Sequence, residues 1–144
     1  MASTKVVPTA ISFSGCGFIG VYHFGLARCL QVYGKKVLAN ITKFGGASAG
    51  SLAAAVIGIC PEKIFEAKKA GFELSETVRK LSFGALSIGF RLSAHVEAMA
   101  DKILPENAHE IANGRVFISV TRKKCGKNFI ISEYSSRTDL IQVK

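Results

Sequence analysis

The residues with the clearest chemical potential in this sequence are Gly46-Ala47-Ser48-Ala49-Gly50, a G-x-S-x-G pentapeptide. A serine in this setting can attack a carbonyl carbon when a base removes its proton. Residues 41–44 before it are strand-like and residues 51–57 after it are helix-like, which is the context of a nucleophile elbow. We therefore predict that Ser48 lies at a sharp turn, with the N-terminus of the following helix aimed at the developing oxyanion.

The same stretch has two simpler interpretations. One is a loop and a packing helix made of glycine, alanine and serine. The other is a membrane span, because no charged residue lies between Lys43 and Glu62. That run is near the shortest length that spans a bilayer and is broken by glycine, serine and a terminal proline, so we reject the membrane span.

A second glycine motif, Gly15-x-Gly17-x-x-Gly20, follows the first predicted strand and opens the first predicted helix. A dinucleotide site has this pattern, with an acid about 20 residues further on to hold the ribose. Here that region offers Lys35 and Lys36 but no acid, so only an NADP site stays open as an alternative. We favour an oxyanion loop, because successive backbone N–H groups at a helix N-terminus also donate to an oxyanion.

The base that would activate Ser48 is not evident. His23 lies within the first predicted helix, where a packing or hydrogen-bonding role is expected. His95 and His109 lie on other predicted helices. Asp101 and His109 satisfy the order Ser, acid, His, but neither follows a strand in a glycine-flanked loop, so we do not assign a triad.

Composition limits the class of protein. A chain of 144 residues with 49% apolar residues fits one domain with a real core. The net charge is +9 and no acid precedes Glu62, which suits an anionic membrane surface or an acidic partner. The basic group at residues 122–124 lacks interleaved aromatic residues, so we predict a solvated hairpin turn and no nucleic-acid partner. The four cysteines lack metal-ligand spacing and are interpreted as reduced thiols.

The remaining elements must position these groups. Phe18, Tyr22, Leu26 and Leu30 recur at helical spacing, and Gly34 is the predicted C-cap. The uncharged segment 82–90 is either a buried loop or a wall of a lipid-binding mouth. The other predicted elements are helices over 61–81, 91–104 and 106–112, strands over 115–121 and 128–132, and a final helix that a capping box starts at Ser136-x-x-Asp139. Because the chain ends soon after that helix begins, we expect a truncated domain.

Four segments together resemble the patatin-like phospholipase domain family. They are residues 14–25 (SGCGFIGVYHFG), 43–52 (KFGGASAGSL), 60–63 (CPEK) and 82–86 (SFGAL). The sequence is most similar to the animal branch that contains adipose triglyceride lipase and adiponutrin, and within it to small single-domain members.

This resemblance implies a three-layer α/β/α fold with a mainly parallel sheet, of which residues 1–144 are the N-terminal part of one catalytic domain, truncated at its C-terminus. It implies a Ser-Asp dyad that hydrolyses or transfers acyl groups of triacylglycerols, phospholipids or retinyl esters, without a metal or organic cofactor. Ser48 matches the nucleophile. The other matching positions are Gly15, Cys16 and Gly17 for the oxyanion hole, Gly20 for its loop, and Gly46, Ala47, Ala49 and Gly50 for the elbow.

One part of the family pattern is missing. The family aspartate precedes a glycine, whereas Asp101 precedes Lys102 and Asp139 precedes Leu140. We therefore expect the aspartate beyond residue 144 and little activity from this chain alone. The expected location is cytoplasmic and peripheral, at a membrane or lipid droplet that holds the lipid substrate, with room for a protein co-activator. A non-catalytic lipid-surface or regulatory protein with the same fold is the alternative.

Overall fold

The computed structural model describes residues 9–143, which contain four strands and seven α-helices. The strands are β1 (Thr9–Phe13), β2 (Ile41–Ala47), β3 (Val116–Thr121) and β4 (Asn128–Ile131). The helices are α1 (Val21–Tyr33), α2 (Lys35–Ala39), α3 (Ala49–Ile59), α4 (Ile64–Arg79), α5 (Leu92–Ile103), α6 (Ala108–Ala112) and α7 (Arg137–Gln142). A short 3-10 helix, Gly17–Gly20, leads into α1.

The strands form one sheet in the order β1-β2-β3-β4. β1 and β3 each pair with β2 in parallel, and β4 pairs with β3 as an antiparallel hairpin. Parallel neighbours need crossover connections, which helices supply here. The prediction of an α/β fold with a mainly parallel sheet is confirmed. Phe13 pairs with Gly46, so the loop after β1 and the turn after β2 begin side by side at the carboxyl ends of these two strands.

Small residues allow α3 to lie against the sheet. Ala53 and Ala54 are fully buried. A Cβ at Gly58 would stand 3.0 Å from Val116 Cγ2 and 3.1 Å from Phe44 Cδ2. The predicted helix after the pentapeptide is confirmed, and it has 11 residues. Within residues 9–143, no helix has both the length and the apolar character needed to cross a bilayer.

Helix α1 is present where the sequence predicts it, and Gly34 caps it by donating its N–H to Leu30 O at 2.9 Å. The face it buries is not the predicted one. Phe24 and Ala27 are buried, whereas Phe18 and Tyr22 of the predicted stripe are exposed. The close contact of Gly20 with α3 sets this rotation, because residues at i+4 and i+7 from Gly20 turn inward with it.

The prediction of a buried loop at 82–90 is wrong, because Phe83, Leu86 and Ile88 are all strongly exposed. The basic hairpin turn is confirmed: residues 122–127 are exposed, and Arg122 N donates to Lys127 O at 2.9 Å. The predicted start of α7 at Ser136 is also confirmed, since Asp139 N donates to Ser136 Oγ at 3.1 Å. The capping box is incomplete, because the Asp139 carboxylate accepts from Ser135 N and not from Ser136 N.

Candidate active site

The turn between β2 and α3 holds Ser48 in a strained backbone conformation. Its φ is 52° and its ψ is −127°, and it is the only residue other than glycine with a positive φ among residues 9–143. Such a conformation costs on the order of 1–3 kcal/mol and persists only where the surroundings impose it. The strain therefore marks Ser48 as a residue whose position is fixed by its neighbours.

Two glycines of the pentapeptide are required by close backbone contacts. A Cβ at Gly46 would overlap the carbonyl group of Gly50. A Cβ at Gly50 would overlap the carbonyl oxygens of Phe13 and Ser14 at the end of β1. The strand, the turn and the helix can pack this closely only because both positions lack a side chain.

The Ser48 hydroxyl is not used to cap α3. Serine at an N-cap usually accepts a hydrogen bond from the first turn, but Ser48 makes no side-chain cap bond. The first turn is tied to the Ser48 carbonyl instead: Ser51 Oγ donates to it at 2.5 Å and Ser51 N at 2.9 Å. The exposed Ser48 hydroxyl therefore stays available for chemistry at the positive end of the α3 dipole.

The loop after β1 lies directly against this turn. A Cβ at Gly15 would lie 3.4 Å from Ser48 Cβ and 3.3 Å from Ala47 O. Gly17 has a φ of +55°, which reverses the chain into the 3-10 helix. A Cβ at Gly20 would lie 2.9 Å from Ala49 Cβ. Gly15 and Gly20 therefore pack against the serine turn, and this use of them does not support a dinucleotide site.

His23 connects this loop to α1. Its Nε2 lies 3.0 Å from Ser14 O and 3.2 Å from Cys16 Sγ. Its ring meets the ring of Phe13 edge-on, with the centroids 5.3 Å apart. The expectation that His23 is a packing and hydrogen-bonding histidine is confirmed, and its contacts hold the backbone of the loop beside Ser48.

Ser48 opens into an apolar cavity of about 400 Å³. Phe18, Leu74, Val96 and Leu140 are among its lining residues, so the 3-10 helix, α4, α5 and α7 all contribute walls. The polar side chains that line it are serines, and within residues 9–143 no Asp, Glu or His lines it. We name it the Ser48 cavity.

The acids and histidines that the sequence analysis considered lie elsewhere. Arg137 binds the Asp101 carboxylate through Nη1, and Asp139 Oδ2 accepts from Ser135 N at 2.9 Å. His95 stacks on Phe90 and does not line the Ser48 cavity, and neither does His109. Within residues 9–143, no three His, Cys, Asp or Glu side chains are grouped to hold a metal ion.

All four cysteines are free, as predicted for reduced thiols. Burial raises the pKa of the Cys60 thiol at the end of α3 to about 11, and nearby Glu62 adds to the shift. Burial also raises the pKa of Tyr134 above its ordinary value, with a smaller contribution from Asp139. Its hydroxyl donates to Val116 O at 3.2 Å or Ile131 O at 3.1 Å. Both groups are neutral structural residues at neutral pH.

Comparison with known proteins decides the family. The model of the patatin-like phospholipase family matches residues 11–140. The chain belongs to this family. It is 43% identical to human patatin-like phospholipase domain-containing protein 4 over 92% of this chain and 53% of that protein. It is 46% identical to mouse patatin-like phospholipase domain-containing protein 2 over 92% of this chain and 27% of that protein.

A third relative is human 1-acylglycerol-3-phosphate O-acyltransferase PNPLA3, which is 34% identical over 92% of this chain and 27% of its own length. The chain thus spans about half, or less, of the length of these curated relatives. No solved structure matches the chain significantly. The patatin-like family is one of lipid hydrolases and acyltransferases, and this coarse class agrees with the resemblance that the sequence motifs showed.

Sequence reasoning missed most of the cavity wall. Gly71 and Leu74 lie on the predicted helix over 61–81, and both line the Ser48 cavity, as do Leu140 and Ile141 of the last helix. Their apolar character was visible in the sequence, but which apolar face surrounds a cavity depends on how α4 and α7 are placed. A helical stripe that contains a small residue such as Gly71 was the only available signal.

Proposed function

We propose that this chain carries the nucleophile of a lipid acyl-ester hydrolase or transacylase, and that Ser48 is that nucleophile. One observation carries the proposal: the strained, uncapped Ser48 opens into an apolar cavity of about 400 Å³. A cavity lined mainly by hydrocarbon suits an acyl chain. A serine that has no capping bond suits covalent catalysis, because its lone pairs and proton are free to react.

The reaction that this geometry supports begins with attack of Ser48 Oγ on the ester carbonyl. The negative charge on the carbonyl oxygen would be met by backbone N–H groups of Gly15, Cys16 and Gly17 and by the N–H of Ala49. Gly15 lies beside Ser48 in the folded chain, and α3 directs its N-terminus to the same place. Each such donor typically contributes 10²–10³-fold to the rate.

The base in this proposal is an aspartate outside residues 1–144. Asp101 is held by Arg137, and Asp139 is held by the start of α7, so both carboxylates already have structural partners. The relatives extend well beyond the matched region, which leaves room for the aspartate there. The chain alone is then expected to be inactive or nearly so.

The acyl substrate in this proposal is a triacylglycerol, a phospholipid or a retinyl ester. After attack, the ester C–O bond breaks and the alcohol leaves with the proton that the base took from Ser48. The acyl group then passes from Ser48 to water in hydrolysis, or to an acceptor hydroxyl in transacylation, and Ser48 regains a proton. One relative is named as a phospholipase-domain protein and another as an O-acyltransferase, so both outcomes have precedent in the family. We propose a peripheral location at a membrane or lipid-droplet surface, because the substrate resides there.

Ester hydrolysis by two forms of the protein tests this proposal. One form is residues 1–144, and the other is a longer form that includes a downstream Asp-Gly segment, each with a Ser48→Ala control. Hydrolysis only by the longer form, abolished by Ser48→Ala, is the expected result. Hydrolysis by the short form that requires Ser48 would place the base within this chain. No Ser48-dependent turnover by either form would favour a non-catalytic lipid-surface protein.

A further inference from the structure

The segment between α4 and α5 exposes large apolar side chains to solvent. We call residues 82–90 the apolar loop. Phe83 is 75% exposed, Leu86 is 89% exposed and Ile88 is fully exposed. Such a concentration on one loop is unusual for a protein surface and marks an interaction site. Because the side chains project outward instead of lining a groove, they fit a soft apolar medium into which they can insert.

Five backbone N–H groups of the apolar loop donate hydrogen bonds within the loop and its base. Backbone N–H groups buried in hydrocarbon without partners are costly, so an inserting loop must supply those partners itself. Phe83 N donates to Ser87 Oγ at 3.1 Å. The other bonds within the loop and its base are Gly84 N to Leu81 O (3.0 Å), Leu86 N to Phe83 O (3.1 Å), Ser87 N to Gly84 O (3.1 Å) and Phe90 N to Ser87 O (3.0 Å).

The charged residues next to the apolar loop in the sequence are cations. No acid occurs between Glu76 and Glu97, and exposed Lys80 and Arg91 flank the loop. Arg79 adds a third cation, although it also contacts Glu76 at 3.2 Å in an exposed pair. Cations beside inserted apolar residues favour an anionic lipid surface, where they meet headgroup phosphates.

The apolar loop leads along the chain into the wall of the Ser48 cavity. Leu92 and Ser93, which follow the loop at the start of α5, both line that cavity. Phe90, at the base of the loop, stacks on His95 one turn along α5, with the ring centroids 4.6 Å apart. An anchor at this place would hold the wall of the Ser48 cavity against the surface that contains the substrate.

We propose that the apolar loop inserts into anionic phospholipid surfaces, with Phe83, Leu86 and Ile88 in the acyl region and Lys80 and Arg91 at the headgroups. This inference rests on the proposed function for its purpose, since a lipid acyl hydrolase must reach an interface. Its test measures vesicle binding and does not depend on whether Ser48 reacts.

The test uses residues 1–144 and vesicles of phosphatidylcholine with or without phosphatidylserine. The chain contains no tryptophan, so Ile88→Trp introduces a single fluorescent reporter. Phe65→Trp is the matched control, because Phe65 is 72% exposed but lies on α4, outside the apolar loop, and is close in sequence to the acids Glu62 and Glu66. We expect a blue shift and quenching by brominated lipid for the reporter at position 88 and neither for the reporter at position 65.

Binding of charge-introducing variants completes the test. Phe83→Asp and Ile88→Asp are each expected to weaken binding to phosphatidylserine vesicles by about tenfold or more, whereas Phe65→Asp is expected to leave it unchanged. Omitting phosphatidylserine or adding salt is expected to weaken binding of the unsubstituted chain. Because all three side chains are exposed, thermal melts should show unchanged folding, and the tryptophan reporters do not depend on that result.

Several outcomes would overturn the inference. They are equal spectral shifts at positions 65 and 88, undiminished binding of the Asp variants, or a dimer that Ile88→Asp converts to a monomer, which would make a second copy the occupant. Failure of the two proposals can be told apart. Ser48-dependent hydrolysis by the longer form without loop insertion defeats this inference alone. Loop insertion without Ser48-dependent hydrolysis by the longer form defeats the proposed function alone.

Discussion

The serine turn and the apolar loop differ in how closely their residues are packed. Around Ser48, strand, turn and helix lie so close that Gly46 and Gly50 have no space for a Cβ. At the apolar loop, the Ile88 side chain is fully exposed and Phe83 is 75% exposed. At the serine turn, backbone contacts fix the position of Ser48. At the apolar loop, the apolar side chains remain exposed and can bind a surface outside the chain. Substitutions should therefore affect stability at the serine turn and association at the loop.

The largest effect is expected at Gly50. In Gly50→Ala the new methyl group would overlap the carbonyl oxygens of Phe13 and Ser14, so β1 and α3 must separate. We expect the free energy of unfolding to fall by about 3 kcal/mol or more, as measured by chemical denaturation. Gly25→Ala is the control, because nothing lies within 4 Å of a Cβ there, and it should gain about 0.5–1 kcal/mol. Equal stability of the two variants would refute the close packing described for the turn.

The next largest change in stability is expected at high pH, from the buried Cys60 thiol at the end of α3. The unfolded chain releases the Cys60 proton near pH 9, whereas the folded chain retains it until about pH 11. The unfolded state therefore binds fewer protons in this window, and stability is lost as the pH rises through it, by about 1–2 kcal/mol. Denaturation curves between pH 8 and 11 should show a flatter decline for Cys60→Ala. A parallel decline in both proteins would remove Cys60 as a cause.

A smaller change, in this case a gain in stability, is expected for Ser48→Gly. Glycine adopts a positive φ without strain, so Ser48→Gly should raise the free energy of unfolding by about 1 kcal/mol. Ser48→Ala keeps a Cβ and should show no such gain. Thermal and chemical denaturation of the two variants make the comparison. A destabilised Ser48→Gly would show that the hydroxyl contributes to folding, contrary to its lack of a capping bond.

The smallest change in stability is expected at the apolar loop. Ile88→Ser removes a side chain that is fully exposed, so the free energy of unfolding should change by less than about 0.5 kcal/mol. Binding to phosphatidylserine vesicles should nevertheless be weaker for this variant, because less apolar surface remains to insert. A loss of stability comparable to that of Gly50→Ala would mean that the loop packs against the core.

The sequence could predict the serine turn because its causes are local. A G-x-S-x-G motif between a strand and an alanine-rich helix identifies the turn, and the capping box at Ser136 identifies the start of α7. The orientation of α1 could not be predicted, because the contact between Gly20 and Ala49 joins residues far apart in the sequence. The exposure of residues 82–90 could not be predicted from the sequence either. An uncharged apolar segment has the same pattern whether it is buried or meets a lipid surface.

The central claim is that Ser48 is a nucleophile, and covalent trapping tests it most directly. A form of the protein that includes the proposed aspartate is treated with a lipid-like fluorophosphonate, digested and examined by mass spectrometry. We expect one adduct on the peptide that contains Ser48, none in Ser48→Ala, and a loss of ester hydrolysis in proportion to labelling. An adduct on another residue, or hydrolysis that persists in Ser48→Ala, would contradict it.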